Sequence, residues 1–349
     1  MSNRISKVTI LDIARELNIT AATVSRALND HPGIRESTKK AVRETATRLN
    51  YKHNKIASSL RLGKSNIVGV IIPSAEINFF GSVVHGIEKV AAENNYTVLI
   101  YQSNELYEYE KKGVQTFLQS RVDGVLASIS KETINLDHYS EIRNRGIPLV
   151  LFDRTDDKLG VSSVVVDDYA GAFQATSHLI EEGCRRVAHI AGQQHVNIFN
   201  LRLKGYIEAL NVHNIPLNED LIVYGKVSID SGRECMKQLL ARPVIPDAVF
   251  AVEDFTALGA IQAIKAAGLR IPEDIAIIGF ANEAFGEYLT PSLSTVNQQT
   301  VTMGEEAARL LFEGLRSGEP FHAHPRKLVL KPQVICRGSS VKYPKGDGR

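Results

Sequence analysis

Residues 9–29, TILDIARELNITAATVSRALN, decide the reading of the N-terminal part of the chain. Ile10, Ile13, Ala14 and Leu17 recur at i, i+3, i+4 and i+7, which puts one apolar stripe along a short helix. Thr9 stands before the stripe as an N-cap, with Asp12 three residues on to complete a capping box. The helix stops around Leu17-Asn18-Ile19, where the short polar side chain of Asn18 tolerates a left-handed backbone. Thr20 caps a second helix whose inner face is Val24, Ala27 and Leu28. Two helices joined by so tight a turn predict a helix-turn-helix, whose second helix enters the DNA major groove N-terminus first.

A third helix follows the loop Asn29–Ile34, with Ser37 expected as its N-cap and Val42, Ala46 and Leu49 on its inner face. On the second helix, Thr20, Thr23, Ser25 and Asn29 carry short groups suited to phosphate oxygens, which set position without reading sequence. Arg26 can grip guanine O6 and N7 with two bonds, and Ala21 and Ala22 can meet thymine methyl groups. Charge agrees. Residues 1–65 hold 13 Lys and Arg against 5 Asp and Glu, a surplus of eight, whereas the whole 349-residue chain carries only +2. A basic module on a mildly acidic body is the footprint of a polyanion-binding protein.

Beyond Gly63-Lys64-Ser65 the pattern changes. Short apolar runs at 67–72, 97–101, 124–127, 149–152, 164–166, 187–190, 248–251 and 275–278 read as parallel strands buried on both faces. Helical stretches such as 83–94, 170–182 and 256–267 lie between them, which implies doubly wound parallel sheets in two lobes. No G-x-G-x-x-G follows the first strand, and neither a P-loop nor a G-x-S-x-G nucleophile elbow is present. With no catalytic base set against a phosphate loop or metal cluster, the chain is read as no enzyme, with no catalytic residues and no cofactor. Cys184, Cys235 and Cys336 are too far apart for a metal site or a disulfide framework. No apolar run approaches the roughly 20 residues that span a bilayer. The polar start argues against export, so a cytoplasmic protein is expected.

Ligands of open α/β sheets lie beyond the carboxyl ends of the strands. Phe79 and Phe80, Asp153-Arg154, Glu253-Asp254 and Asn282-Glu283 occupy such positions. Carboxylates and amides beside aromatic faces suit sugars, whose hydroxyls need hydrogen bonds and whose C–H faces stack on rings.

Several of these stretches resemble the lac repressor family. They are Thr9–Ala14, Thr23–Asn29, Leu49-Asn50-Tyr51 with Asn54, and Ala57–Arg61 in the headpiece. In the body they are Val166–Gly171, His178–Gly183, Ile190–Gly192, Arg202–Tyr206, Ala257–Ala260 and Thr290–Val296. The resemblance implies an all-α helix-turn-helix headpiece over residues 1–54, a hinge helix and linker over 55–65, and a polar tail over 341–349. Between them, residues 66–340 would form an α/β two-lobed domain of doubly wound parallel sheets, similar to periplasmic sugar-binding proteins. Its N-lobe is expected at about 66–165 and 297–325 and its C-lobe at about 166–296 and 326–340. The resemblance adds Thr9, Leu11, Tyr51 and Asn54 to the DNA contacts, and makes Leu60 an apolar wedge that kinks the central base step. It places Phe79 and Phe80 beside an effector, with Asp153, Arg202 and Gln298 hydrogen-bonding it and Asp254 or Glu253 adding a contact from the second lobe; Asn282, at its strand end, is also expected to bind the effector.

The implied partners are palindromic double-stranded operator DNA, a second copy of the chain, and a small sugar or sugar derivative that switches DNA affinity. The chain departs from the family pattern at Asn18, where glycine is usual, at Ala281, where aspartate is common, and at Glu253, where asparagine is frequent. The pocket is therefore expected to differ from that of its relatives. Two other classes are disfavoured. An exported solute receptor is opposed by the intact headpiece motifs, and a sugar kinase or isomerase by the missing catalytic set.

Overall fold

A computed structural model describes residues 8–51, 64–317 and 320–342 and divides the chain into two compact units, 1–65 and 66–349. In the first unit, α1 (Ile10–Glu16), α2 (Ala21–Leu28) and α3 (Glu36–Arg48) enclose Ile13, Ala14, Val24, Ala27, Val42 and Ala46. The Thr9 N–H donates to Asp12 Oδ2 at 2.8 Å, closing the expected box. Asn18 takes φ 51°, so the chain reverses there and the Ile19 N–H reaches the Ala14 carbonyl at 3.0 Å. The cap of α3 differs from expectation: Arg35 holds the N-cap position and Ser37 already lies inside the helix. Lys39 explains part of this early start. It is nearly buried and bonds Glu36 at 2.7 Å and Asp30 at 3.0 Å, tying the first turn of α3 to the preceding loop.

The second unit contains a six-stranded sheet in the order β11-β5-β4-β3-β1-β2, every neighbouring pair parallel. Its strands are β1 (Ile67–Ile72), β2 (Thr97–Gln102), β3 (Gly124–Ala127), β4 (Leu149–Phe152), β5 (Ser162–Val166) and β11 (Lys327–Leu330). A second parallel sheet, β7-β6-β8-β9, uses β6 (Val187–Ala191), β7 (Ile222–Tyr224), β8 (Ala248–Ala251) and β9 (Ala276–Ile278). A short antiparallel pair, β10 (Thr295–Asn297) with β12 (Gln333–Ile335), completes the set.

Among the described residues eight α-helices alternate with the strands: α4 (Asn78–Glu93), α5 (Tyr107–Ser120), α6 (Asp137–Asn144), α7 (Asp168–Glu181), α8 (Asn197–Val212), α9 (Ile229–Leu240), α10 (Asp254–Ala266) and α11 (Thr300–Ser317). Valine, isoleucine and leucine on most central strands are fully covered because helices pack on both faces.

Two expectations change. The run at 97–101 is not buried on both faces: β2 is an edge strand, and Leu99 and Ile100 are exposed. The chain also returns to the second lobe later than residue 326. Lys327–Leu330 pairs with Ser163–Val166 on the first sheet, so the crossing falls between Leu330 and Gln333.

Candidate nucleic-acid interface and ligand cavity

The outward face of α2 is polar and unobstructed. Thr20 Oγ1 accepts the Thr23 N–H at 3.1 Å and lies 2.9 Å from Thr23 Oγ1, which satisfies one helix-end donor and fixes where α2 begins. Thr9, Leu11, Thr20, Ala22, Arg26 and Asn29 are exposed, and Ala21, Thr23 and Tyr51 are partly so. Among the described residues no carboxylate pairs with Arg26, so its planar fork stands ready for an external acceptor. Leu11 leaves 60% of its surface in solvent, an apolar group beside this polar face.

One expected contact looks inward, and another is held by its own helix. Ser25 is buried, and its carbonyl accepts the Asn29 side-chain amide at 2.8 Å, which closes the C-terminal end of α2. Asn54, Leu60 and the expected hinge helix at 55–62 lie outside the described residues.

In the second unit, loops at the carboxyl ends of both parallel sheets enclose a cavity of about 500 Å³. Phe79 and Phe80, in the first turn of α4 just after β1, form one wall, their rings edge-to-face with centroids 5.0 Å apart. Asp153 follows β4, is 5% exposed, and accepts only Ser128 Oγ at 3.5 Å. Burial raises its pKa, which nearby Arg154 and Arg202 only partly offset.

Arg202, from α8, is the most constrained group on the wall. Its Nε donates to Asp168 Oδ1 at 2.8 Å, its Nη1 to the Val252 carbonyl at 2.7 Å, and its Nη2 to Gln298 Oε1 at 3.3 Å. The guanidinium lies 3.7 Å from the centre of the Phe280 ring, close enough for a cation–π contact. Burial lifts the Asp168 carboxyl to about 6 despite the Arg202 charge beside it. Glu253 caps α10, accepting the N–H groups of Phe255 at 3.0 Å and Thr256 at 2.8 Å.

Phe79, Phe80, Asp153, Arg202, Glu253 and Gln298 thus come together as expected from the sequence. Asp254 and Asn282 do not. Asp254 is fully buried behind the wall, where its carboxylate accepts the Glu283 N–H at 2.7 Å and the Thr295 hydroxyl at 2.7 Å. Burial raises its pKa to about 7. Asn282 turns away at φ 57° and accepts from Arg337 Nη2 at 3.0 Å. Their sequence neighbours Glu253 and Glu283 face the cavity instead. Sequence reasoning named Arg154 and Glu283 at strand ends without counting them among the effector contacts, and it missed Phe199 and Lys131 on the wall. Phe199 gave no signal, because an aromatic at helical spacing reads equally well as core.

Among the described residues no helix is long and apolar enough to cross a membrane, and no group of three or more His, Cys, Asp or Glu is placed to hold a metal. Residues 9–54 match the model of the lacI family of bacterial regulatory proteins, and residues 176–340 match that of the periplasmic binding protein-like domain. The chain is 36% identical over 295 residues to the Probable HTH-type transcriptional repressor ExuR of Bacillus subtilis (strain 168), covering 83% of this chain and 86% of that protein. Among solved structures, a transcriptional regulator CelR-cellobiose complex is 30% identical with a TM-score of 0.72, covering 95% of this chain and 99% of that one. The lac repressor dimer bound to operator and the anti-inducer ONPF shares the fold at a TM-score of 0.86 and 23% identity, over 96% of this chain and 100% of that one. The chain belongs to the lacI family of bacterial regulatory proteins, which are DNA-binding regulators and not enzymes.

Proposed function

We propose that this protein is a cytoplasmic transcription repressor that grips palindromic operator DNA as a homodimer and is switched by a small sugar-like effector held in the 500 Å³ cavity. The observation that carries the reading is the exposed face of α2 and its N-cap, with Thr20, Ala22 and Arg26 presented over a closed core of Ile13, Val24, Ala27 and Val42. A helix-turn-helix places this part of its second helix against base edges. In that placement Thr20 and Thr23 meet phosphate, Arg26 reads guanine, and Ala21 and Ala22 meet thymine methyl groups. Thr9, Leu11, Asn29 and Tyr51 flank them, and Ser25 contributes only through the small part of its surface left uncovered. A palindrome follows from a two-fold dimer presenting two such helices. The sugar-like effector is supported by a cavity that joins aromatic faces to Asp153, Arg202, Glu253 and Gln298, and by the cellobiose bound in a structural relative.

The test is selection from a random duplex library with the purified full-length protein, followed by a salt titration of the winner. A palindromic winner whose affinity falls steeply with salt is expected, because neutralised phosphates release counterions. Weak binding with no sequence preference, with or without candidate sugars, contradicts the reading.

A further inference from the structure

Each cation on the cavity wall is already engaged by the protein. Arg202 is held by Asp168, the Val252 carbonyl and Gln298. Arg154 Nη1 donates to Glu105 Oε2 at 2.7 Å, and Lys131 Nζ lies 3.5 Å from the other oxygen of the same carboxylate. The carboxylates are in a different position. Glu283 is 3% exposed, and its side chain accepts one hydrogen bond, from the Phe79 N–H at 3.2 Å to Oε1. Asp153 has the 3.5 Å contact with Ser128 and an Arg154 nitrogen no nearer than 3.8 Å. Glu253 is capped by backbone N–H groups, and among the described residues no cation bonds it or Glu283. Burial raises the pKa of both glutamates, and the charge of Glu253 adds to the rise at Glu283. The Glu283 N–H bonds Asp254, the residue next to Glu253, at 2.7 Å, which brings the two glutamates to the same stretch of the cavity wall.

A buried charge needs a partner. A phosphate or carboxylate on the ligand would add negative charge beside these carboxylates, where Arg202 and Arg154 are already paired with Asp168 and Glu105. An ammonium group would relieve the Glu253–Glu283 repulsion and complete the unfilled acceptor sites of both. Phe79 on the same cavity adds a ring face that attracts a cation; Phe80 and Phe199, which already carry Arg154 and Arg202 at 5.6 and 5.9 Å, cover C–H groups.

We infer that the effector is a cationic, amine-bearing polyol whose ammonium group sits between Glu253 and Glu283 and whose hydroxyls donate to Asp153. This rests on the reading of the cavity as the effector site. Glu253 and Glu283 are then the residues that set specificity for charge.

The experiment is a thermal-shift and calorimetric comparison on the full-length protein. One probe set is glucosamine, galactosamine and mannosamine. The second is their N-acetyl forms with the parent hexoses, and the third is glucuronate and glucose 6-phosphate. At least one free amine is expected to raise the melting temperature at millimolar concentration, while its N-acetyl form, which keeps the shape but not the charge, binds at least tenfold more weakly. Glu253→Gln and Glu283→Gln are each expected to erase that tenfold preference, and calorimetry on each folded variant reads the ratio directly.

No shift from any free amine overturns the inference. So does binding of a neutral or anionic sugar as tight as that of its amine, or an amine preference that survives both substitutions. Operator selection reads DNA preference and not the charge of the ligand, so it tests the regulator reading separately. A neutral or anionic sugar that alters operator affinity would leave that reading standing and remove this one.

Discussion

Arg202 and Asp168 are joined at two points: Nε and Nη2 lie 2.8 and 2.7 Å from the same carboxylate oxygen, and both side chains are 2% exposed. Such a pair is costly to break singly, because the survivor is left charged and without a partner. Arg202→Ala is expected to lower stability by about 3–5 kcal/mol in urea unfolding. Arg202→Lys should recover little of it, since an ammonium cannot hold Asp168, Val252 and Gln298 in one plane. A loss below about 1 kcal/mol would show that the wall repacks around the gap.

The pH dependence of stability has a stated sign. Burial raises the folded-state pKa of Asp254 to about 7 and of Asp168 to about 6, from an ordinary value of 3.8. Between 3.8 and those values the folded protein binds more protons than the unfolded chain. The contribution of these groups is therefore full at low pH and lost as pH rises through 6 and then 7. Asp254→Asn removes its share. The stability of the natural protein relative to this variant should grow as pH falls from 8 to 5, which chemical denaturation across that range reads. A difference that grows toward pH 8 contradicts the assignment.

Close helix packing gives a paired prediction. A Cβ on Gly304 would lie 2.0 Å from the Val83 carbonyl oxygen, and one on Gly86 would lie 2.2 Å from that of Val301, so α4 and α11 meet backbone to backbone. Gly304→Ala should destabilise by about 1–3 kcal/mol or more through overpacking. Gly81 sits in α4 with nothing within 4 Å of an added Cβ, so Gly81→Ala should stabilise by roughly 0.5–1 kcal/mol. Melting curves of the two variants should move in opposite directions.

Much of this was legible in the sequence, for identifiable reasons. Thr9, Asp12, Asn18 and Thr20 act through bonds to near neighbours in the chain, so their spacing alone located α1, the turn and α2. The central strands were visible because burial on both faces leaves nearly unbroken apolar runs. Ile222–Tyr224, Thr295–Asn297, Lys327–Leu330 and Gln333–Ile335 were not, since each is three or four residues long and partly exposed or mixed in polarity. At the strand ends the cavity was legible to within one residue, whereas Phe199 and Lys131 were not legible. The strand ends pointed to 253–254 and 282–283, but which neighbour faces the ligand depends on local φ and on long-range partners such as Thr295 and Arg337. Nothing in the sequence spacing reveals those partners.

Base reading and helix capping should separate on α2. Arg26→Ala is expected to cost about 1–3 kcal/mol of discrimination at one base pair in each half-site, with the headpiece still folded. Thr20→Ala should instead lower headpiece stability by about 1 kcal/mol through the lost Thr23 bond. Competition binding against single-position operator variants, beside circular dichroism melting of the two mutants, distinguishes these effects. Equal loss against all operator variants for Arg26→Ala would make it a phosphate contact only.

The central claim is that the cavity and the α2 face are coupled. Its most direct test is fluorescence anisotropy of the selected palindrome, titrated with full-length protein in the absence and presence of a ligand shown by calorimetry to occupy the cavity. Operator affinity is expected to change by about 5- to 150-fold, the usual span of coupling between linked sites. Arg202→Ala, if folded, is expected to bind the same operator with that change reduced or abolished. Operator affinity that is the same with the cavity empty and saturated would contradict the coupling.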